Sequence, residues 1–258
     1  MEVFLSVDAW VALLTLTFLE IVLGIDNIIF ISIVTGKLPE EKRKKATRIG
    51  LFLAMFMRIA LLFGITLLIA MKAPFFSVDW GWFKASFTGQ AMILLLGGIF
   101  LIYKSTKEIH EKVDHKGDEE LALKPSAAKT FGSVLFQILM IDIIFSVDSI
   151  LTAVGMTNGV NGALTIMITA VVISVFVMML FAVPVGNFVN KNPSIQILGL
   201  AFLILIGFML TTESMHLSHA VLAGEEIGAV PKGYLYFAIA FSLGVEFLNM
   251  KMRKKKID

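Results

Sequence analysis

The sequence predicts an all-α, polytopic membrane protein with seven transmembrane helices, and three observations carry that prediction. Hydrophobic residues make up 57% of the 258 positions and charged residues only 16%, more apolar surface than one soluble core of this size can take in. The apolar residues fall into seven runs, each close to the ~20 residues a helix needs to cross a bilayer. The connections between them alternate between lysine-rich and lysine-poor, the pattern that inserted helices leave behind.

The runs lie near 9–34, 46–71, 88–104, 131–155, 163–186, 195–212 and 233–250. The first follows Met1-Glu2, which offers no basic leader and no small-residue cleavage site, so it reads as a retained span. The connection to the second, GKLPEEKRKKATR, carries Lys37, Lys42, Arg43, Lys44, Lys45 and Arg48 and is expected on the cytoplasmic side. The second and third runs are joined by a stretch with Lys72, Lys84 and Asp79, and the third leads into a long lysine-rich segment from Lys104 to Lys129. An uncharged stretch joins the fourth and fifth, Lys191 follows the fifth, and Glu213, Glu225, Glu226 and Lys232 lie between the sixth and seventh. The chain ends in MKMRKKKID. These charges predict a multi-pass plasma (inner) membrane protein with its N-terminus outside and its C-terminus cytoplasmic.

Within the long segment, KEIHEKVDHKGDEELALKPS has mixed charge with Gly117 and Pro125, and is expected to be a solvated, partly disordered linker. It separates a first three-helix part (1–104) from a second (131–214), with the linker at 105–130. An outer connection at 215–232 and a seventh helix with a basic tail at 233–258 complete the division. A net charge of +2, segregated into loops, gives no basis for nucleic-acid binding. The absence of cysteine removes disulfides, thiolate metal sites and cysteine nucleophiles together.

The chemistry is concentrated in two stretches. EIVLGIDNII at 20–29 is echoed by DIIFSVDSIL at 142–151: Glu20 aligns with Asp142, Gly24 with Ser146, Asp26 with Asp148 and Asn27 with Ser149. A weaker echo pairs Gly89, Ala91 and Gly97 with Gly199, Ala201 and Gly207. A repeat of three spans crosses the membrane in opposite directions in its two copies, which predicts two inverted three-helix repeats, an arrangement that builds midplane sites in secondary transporters. On a straight helix Glu20, Gly24 and Asn27 share a stripe, as do Asp142, Ser146 and Ser149. Asp26 and Asp148 lie about 120° around and roughly 9 Å along. Gly24 and Ser146 mark where unwinding or close helix contact would bring them round. The four acids would then form a ladder across the bilayer.

A carboxylate at the centre of a span costs about 2.5–3.5 kcal/mol on insertion scales, so these acids need compensation. Arg58, midway along the second span, is positioned to neutralise one, and a static ion-pair network is the plainest reading of such a set. One arginine cannot serve four acids and Glu246 of the seventh span as well. Carboxylates, the Asn27 amide and the Ser146 and Ser149 hydroxyls are hard oxygen-type ligands, suited to Mg²⁺, Ca²⁺ or Mn²⁺. The candidate metal ligands are therefore Glu20, Asp26, Asn27, Asp142, Ser146, Asp148 and Ser149, with Gly24, Arg58, Gln137 and Glu246 in support. Gln137 is placed to hydrogen-bond a ligand carboxylate, and Glu246 to supply a ligand or pair with Arg58. His216 and His219, with Glu213, offer an outer release site, although exposed residues of this kind are more often only solvated.

LEIVLGIDNIIF, GKLPEEKRKKATRIGLFLAMFMRIALL, QILMIDIIFSVDSIL and PKGYLYFAIAFSLGVEFLN together resemble the TerC family of integral membrane proteins. The resemblance covers essentially all the spans. It implies metal-ion efflux, with Mn²⁺ as the transported ion and no fixed cofactor, and it places the family's acidic and polar motif positions on the seven ligands named above.

No GxxxxGK[ST] motif is present, so the expected energy source is an ion gradient or the membrane potential. Proton coupling follows naturally, because a carboxylate must lose its proton to bind metal. The sequence-level expectation is thus a non-enzymatic divalent-cation exporter whose partners are the cation and the lipid bilayer. Two other readings stay open: a membrane metal sensor or scaffold that does not transport, and an intramembrane aspartyl hydrolase.

Overall fold

A computed structural model describes residues 6–64, 73–114, 130–157 and 159–254. Its helices are α1 (Val7–Thr35), α2 (Glu40–Phe63), α3 (Gly89–Asp114), α4 (Phe131–Met156), α5 (Ala163–Lys191), α6 (Pro193–Leu217) and α7 (Lys232–Lys254). All seven are long and apolar enough to cross a membrane. Four short strands accompany them: β1 (Pro74–Asp79), β2 (Phe83–Thr88), β3 (Val221–Leu222) and β4 (Glu225–Glu226).

The helix ends follow local chemistry. Ser6 caps α1 by accepting from the Ala9 N–H at 3.3 Å, with Asp8 in the first turn, and Thr130 caps α4 through the Ser133 N–H. Pro193 opens α6, where its missing N–H costs nothing. One expectation needs correcting. α3 does not stop near Lys104 but continues to Asp114, and Ser105 and Glu108 are buried on its inner face, so the start of the expected linker is helix. The later part of that linker, 115–129, and the end of the second expected span, 65–72, lie outside the described residues. Of the two devices expected at Gly24, unwinding or close helix contact, the structure shows the contact: α1 is continuous there. A single helical glycine costs only about 1 kcal/mol, and its missing Cβ is used for contact, as described below.

The chain divides into two compact units, each drawing on both halves of the sequence: Met1–Ala73 with Ser126–Phe188, and Pro74–Pro125 with Val189–Asp258. In the first unit α2 packs along α4, and α1 packs against both. Asn27 meets Asp142, while Leu16 and Glu20 share a cavity wall with Ile150 and Ala153, so the two helices carrying the echoed motifs run antiparallel. Met178 of α5 lies over Gly24, and Gly186 lies over Ser32.

The second unit is built on α3 and α6, packed along their length. The Ser214 hydroxyl donates to the Ala91 carbonyl at one end, and the Lys112 ammonium donates to Gln196 near the other, so these helices too are antiparallel. They cross at Gly98 and Gly207: a Cβ on Gly98 would fall 2.6 Å from the Gly207 carbonyl, and one on Gly207 would fall 2.7 Å from the Gly98 carbonyl. Small residues allow this backbone approach, as they do in membrane helix pairs generally. The contact involves Gly98 rather than the Gly97 of the sequence echo. The buried faces agree with that shift: Ala91, Leu94, Leu101 and Ser105 correspond to Leu200, Leu203, Leu210 and Ser214, one position out of step with the sequence match.

The strands form one antiparallel sheet in the order β1-β2-β3-β4. β2 runs straight into α3, and the Ser86 N–H donates to the Ser218 carbonyl just beyond α6. The sheet therefore ties the start of α3 to the end of α6, at one end of that helix pair.

Candidate functional site

The site lies in the first unit, where α1, α2 and α4 each turn a polar residue inward. In α2 the buried positions include Thr47, Gly50, Leu51, Ala54, Met55, Arg58 and Leu62, a stripe of helical period that carries Arg58 with it. In α4 the stripe includes Ile138, Asp142, Ser146, Ser149 and Ala153. Gly50 lets α2 close on Ile138, where an added Cβ would lie 3.0 Å away, and so draws Arg58 toward α4.

Arg58 joins the two acids. Its Nε donates to Asp142 Oδ1 at 3.1 Å and Oδ2 at 3.3 Å, its Nη2 to Asp142 Oδ1 at 2.7 Å, and its Nη1 to Glu20 Oε2 at 2.5 Å. Asp142 also accepts from Ser146 Oγ at 3.3 Å and from Asn27 Nδ2 at 3.5 Å. Glu20, Asn27, Arg58 and Asp142 are each 3–6% exposed, and Ser146 is fully buried. The fork of a guanidinium suits two carboxylates in this way, since its planar N–H groups point to separate acceptors. Among the described residues two acidic side chains share one fixed cation, a formal imbalance of charge.

A cavity of about 10 Å³ adjoins Glu20, walled by Leu16, Leu62, Ile150, Ala153, Met167, Ala170 and Val171. It is at the lower limit for holding a water. Among the described residues Glu20 is the one ionisable group on its wall.

The remaining candidates fall at varying distances from this cluster. Ser149 is buried and donates to the Ser146 carbonyl at 3.3 Å. Asp148 is half-buried, and its own backbone carbonyl accepts from the Thr152 hydroxyl. The backbone of Asp26 is helical, and its side chain lies outside what is described. Gly24 acts through close contact: a Cβ added there would run into Met178 Sδ. Gln137 Nε2 donates to Ser133 Oγ at 3.4 Å, one turn back along its own helix. The Arg58 hydrogen bonds go to Glu20 and Asp142.

In the second unit Glu246 accepts from Asn249 at 3.5 Å, while its Oε1 is buried without a partner beside a groove of about 350 Å³ between α6 and α7. His219 pairs with Glu226 at 3.4 Å, and His216 Nδ1 is buried and unpartnered. Among the described residues no three His, Asp or Glu side chains gather as a metal cage, either at His216 and His219 or around Glu20. The double engagement of Arg58 is what sequence reasoning missed. The only signal was the coincidence of Arg58 with the buried stripe of α2.

The Integral membrane protein TerC family model matches residues 5–257. The chain belongs to the TerC family. This TerC protein is 48% identical over 248 residues to the UPF0053 inner membrane protein YgdQ of Escherichia coli (strain K12), covering 96% of this chain and 95% of that protein. It is 44% identical over 247 residues to a UPF0053 protein of Haemophilus influenzae, covering 96% and 95% of the two chains. It also aligns over its whole length, at 40% identity, with 46% of the longer UPF0053 inner membrane protein YoaE of Escherichia coli (strain K12). No solved structure matches it. With seven candidate spans and relatives of this kind, the TerC protein is a multi-pass inner membrane protein.

Proposed function

We propose that this TerC protein exports divalent cations, Mn²⁺ foremost, through the buried site formed by Glu20, Asp142 and their neighbours. The observation that carries the reading is the charge imbalance at Arg58: two buried carboxylates on antiparallel helices share a single guanidinium. In a low-dielectric setting an uncompensated carboxylate is costly, so the pair favours any further positive charge that can reach it. A divalent cation taking the place of Arg58 between the acids would find oxygen ligands from both carboxylates, the Asn27 amide and the Ser146 hydroxyl, the donor set of a hard ion. With neither cysteine in the sequence nor histidine in the cluster, Zn²⁺ and Cu²⁺ are poorly matched.

Transport then consists of exchange. The cation binds while Arg58 withdraws, and Arg58 returns as the cation leaves, so the acids are not left bare in either state. Protons enter the same cycle, because metal binding requires both carboxylates to be ionised. Asp26 and Asp148 would serve the approaches, Asp26 toward the cytoplasm and Asp148 toward the outside, given an outside N-terminus.

Flux in proteoliposomes tests this directly, with Mn²⁺, Mg²⁺, Ca²⁺ and Zn²⁺ offered singly, with and without an imposed pH gradient. Mn²⁺ is expected to move and the gradient to change its rate. Glu20→Gln and Asp142→Asn should abolish flux, and Asn27→Ala should weaken metal binding about 10- to 100-fold. Saturable binding without flux would instead identify a sensor. Peptide cleavage without flux would identify a hydrolase.

A further inference from the structure

Outside the candidate site, the least expected feature is the apolar sheet at one end of the second unit. A single cluster unites sheet and spans: Ala85 and Phe87 of β2, Ala91 of α3 and Ala220 form its centre, with Val78, Phe83, Met92, Leu95, Met215, Leu217 and Ile227 packed around them. Leu95 lies six residues into α3, roughly 9 Å along its axis. The cluster therefore extends from the sheet into the first turns of a membrane span.

The inner face does not end where the helices end. Phe76 pairs with Phe87 across the β1-β2 ladder and stacks on it with ring centroids 6.2 Å apart, yet Phe76 is 54% exposed. β1 is an edge strand, and Phe75, next to Phe76 in it, is exposed as well. At the hairpin tip Trp80 and Trp82 form a loose aromatic group with Phe83, with centroids 6.1–6.4 Å apart, and both tryptophans are more than 60% exposed. Four large aromatic side chains thus stand open on an overhang continuous with the cluster that reaches into α3. In water such a patch on a free strand edge would be an aggregation hazard.

We propose that this overhang is a lipid-binding surface, seated in the headgroup and upper acyl region of the leaflet that meets the N-terminal end of α3. Tryptophan favours that zone because its ring is apolar while its N–H finds a polar partner. The polar neck of the hairpin fits the same placement. Asp79 pairs with Lys84 at 3.0 Å and accepts from the Gly81 N–H, leaving charged groups at the level of the headgroups.

The chain has three tryptophans, and Trp10→Phe leaves only Trp80 and Trp82 as reporters. This variant is reconstituted into liposomes of phosphatidylcholine brominated either near the carbonyl or near the chain end, and its emission is read with and without aqueous iodide. The expected result is emission blue-shifted from that of free tryptophan, at least twofold stronger quenching by the shallow bromolipid than by the deep one, and little effect of iodide. Strong iodide quenching with no bromolipid effect would overturn the proposal by placing the tip in water. Protection from both quenchers would overturn it by placing the tip against protein. Phe76→Trp, made together with Trp10→Phe, Trp80→Phe and Trp82→Phe, repeats the measurement from the edge strand and should give the same order of quenching.

Discussion

Arg58 is the residue on which the candidate site turns. Among the described residues its guanidinium is the one cation hydrogen-bonded to Glu20 and Asp142, so Arg58→Gln should destabilise the folded protein by about 3–5 kcal/mol, the usual cost of breaking a buried ion pair from one side. Replacing all three partners together, as Glu20→Leu, Arg58→Met and Asp142→Leu, should restore most of that loss while leaving transport absent. Thermal unfolding in detergent read beside Mn²⁺ flux separates the two effects, and a triple variant that still transports would leave the cluster as structural glue. The acids and their companions were legible from sequence because charged residues are rare within spans. That one arginine would hold both acids was not, since its position on a buried stripe does not say which neighbours the stripe meets. At Asp79, outside the spans, the Gly81 N–H and then the Lys84 ammonium hold the carboxyl below its ordinary value. The folded form is thus favoured once the pH is above the ordinary carboxyl value, about 3.9, and that contribution fades as the pH falls through the lower folded value. The protection of the Gly81 amide against exchange, taken relative to the intrinsic rate at each pH, should fall as the Asp79 carboxyl protonates, and Asp79→Asn should remove that fall.

At the scale of elements, glycines decide how near the helices come, and what lies opposite each one sets the cost of filling it. An added Cβ at Gly98 meets the backbone of α6, which cannot turn aside, so Gly98→Ala should cost about 1–3 kcal/mol as α3 and α6 are forced apart. Gly24→Ala meets only the flexible end of Met178, and alanine's better helix propensity offsets part of the strain. Its cost should be about 1 kcal/mol or less, measurable in the same unfolding experiment. The seven helices could be read from the sequence because a bilayer demands long unbroken apolar runs. The sheet went unread although its signals were present: PFFSVD and FKASFT flank a turn at Gly81, whose φ of +78° favours glycine. Those strands lie between stronger helical runs, and only their packing on α3 and α6 shows them to be more than a loop.

The whole molecule divides in a way that chain order does not announce. Its two compact units each combine early and late segments, and α1 lies against α4 across more than a hundred residues of sequence. Apolar composition marks these helices as buried or lipid-facing but carries little information on which pairs meet. Orientation is more accessible to experiment, because the natural chain has no cysteine. A single cysteine at Asn161, exposed between α4 and α5, should react with an impermeant maleimide added outside the inner membrane, whereas one at Lys44 should react only after the membrane is opened. The reverse pattern would invert the charge-based topology. The small cavity beside Glu20 has a further consequence for the choice of ion. With about 10 Å³ of space, it admits roughly one water, far less than a hydration shell. On the export reading, an ion passing by this route must already have shed its water, so discrimination depends on how readily each ion dehydrates. Mg²⁺ parts with its shell most reluctantly among the hard divalent ions, so it should be the slowest of them to pass, however abundant it is around the protein.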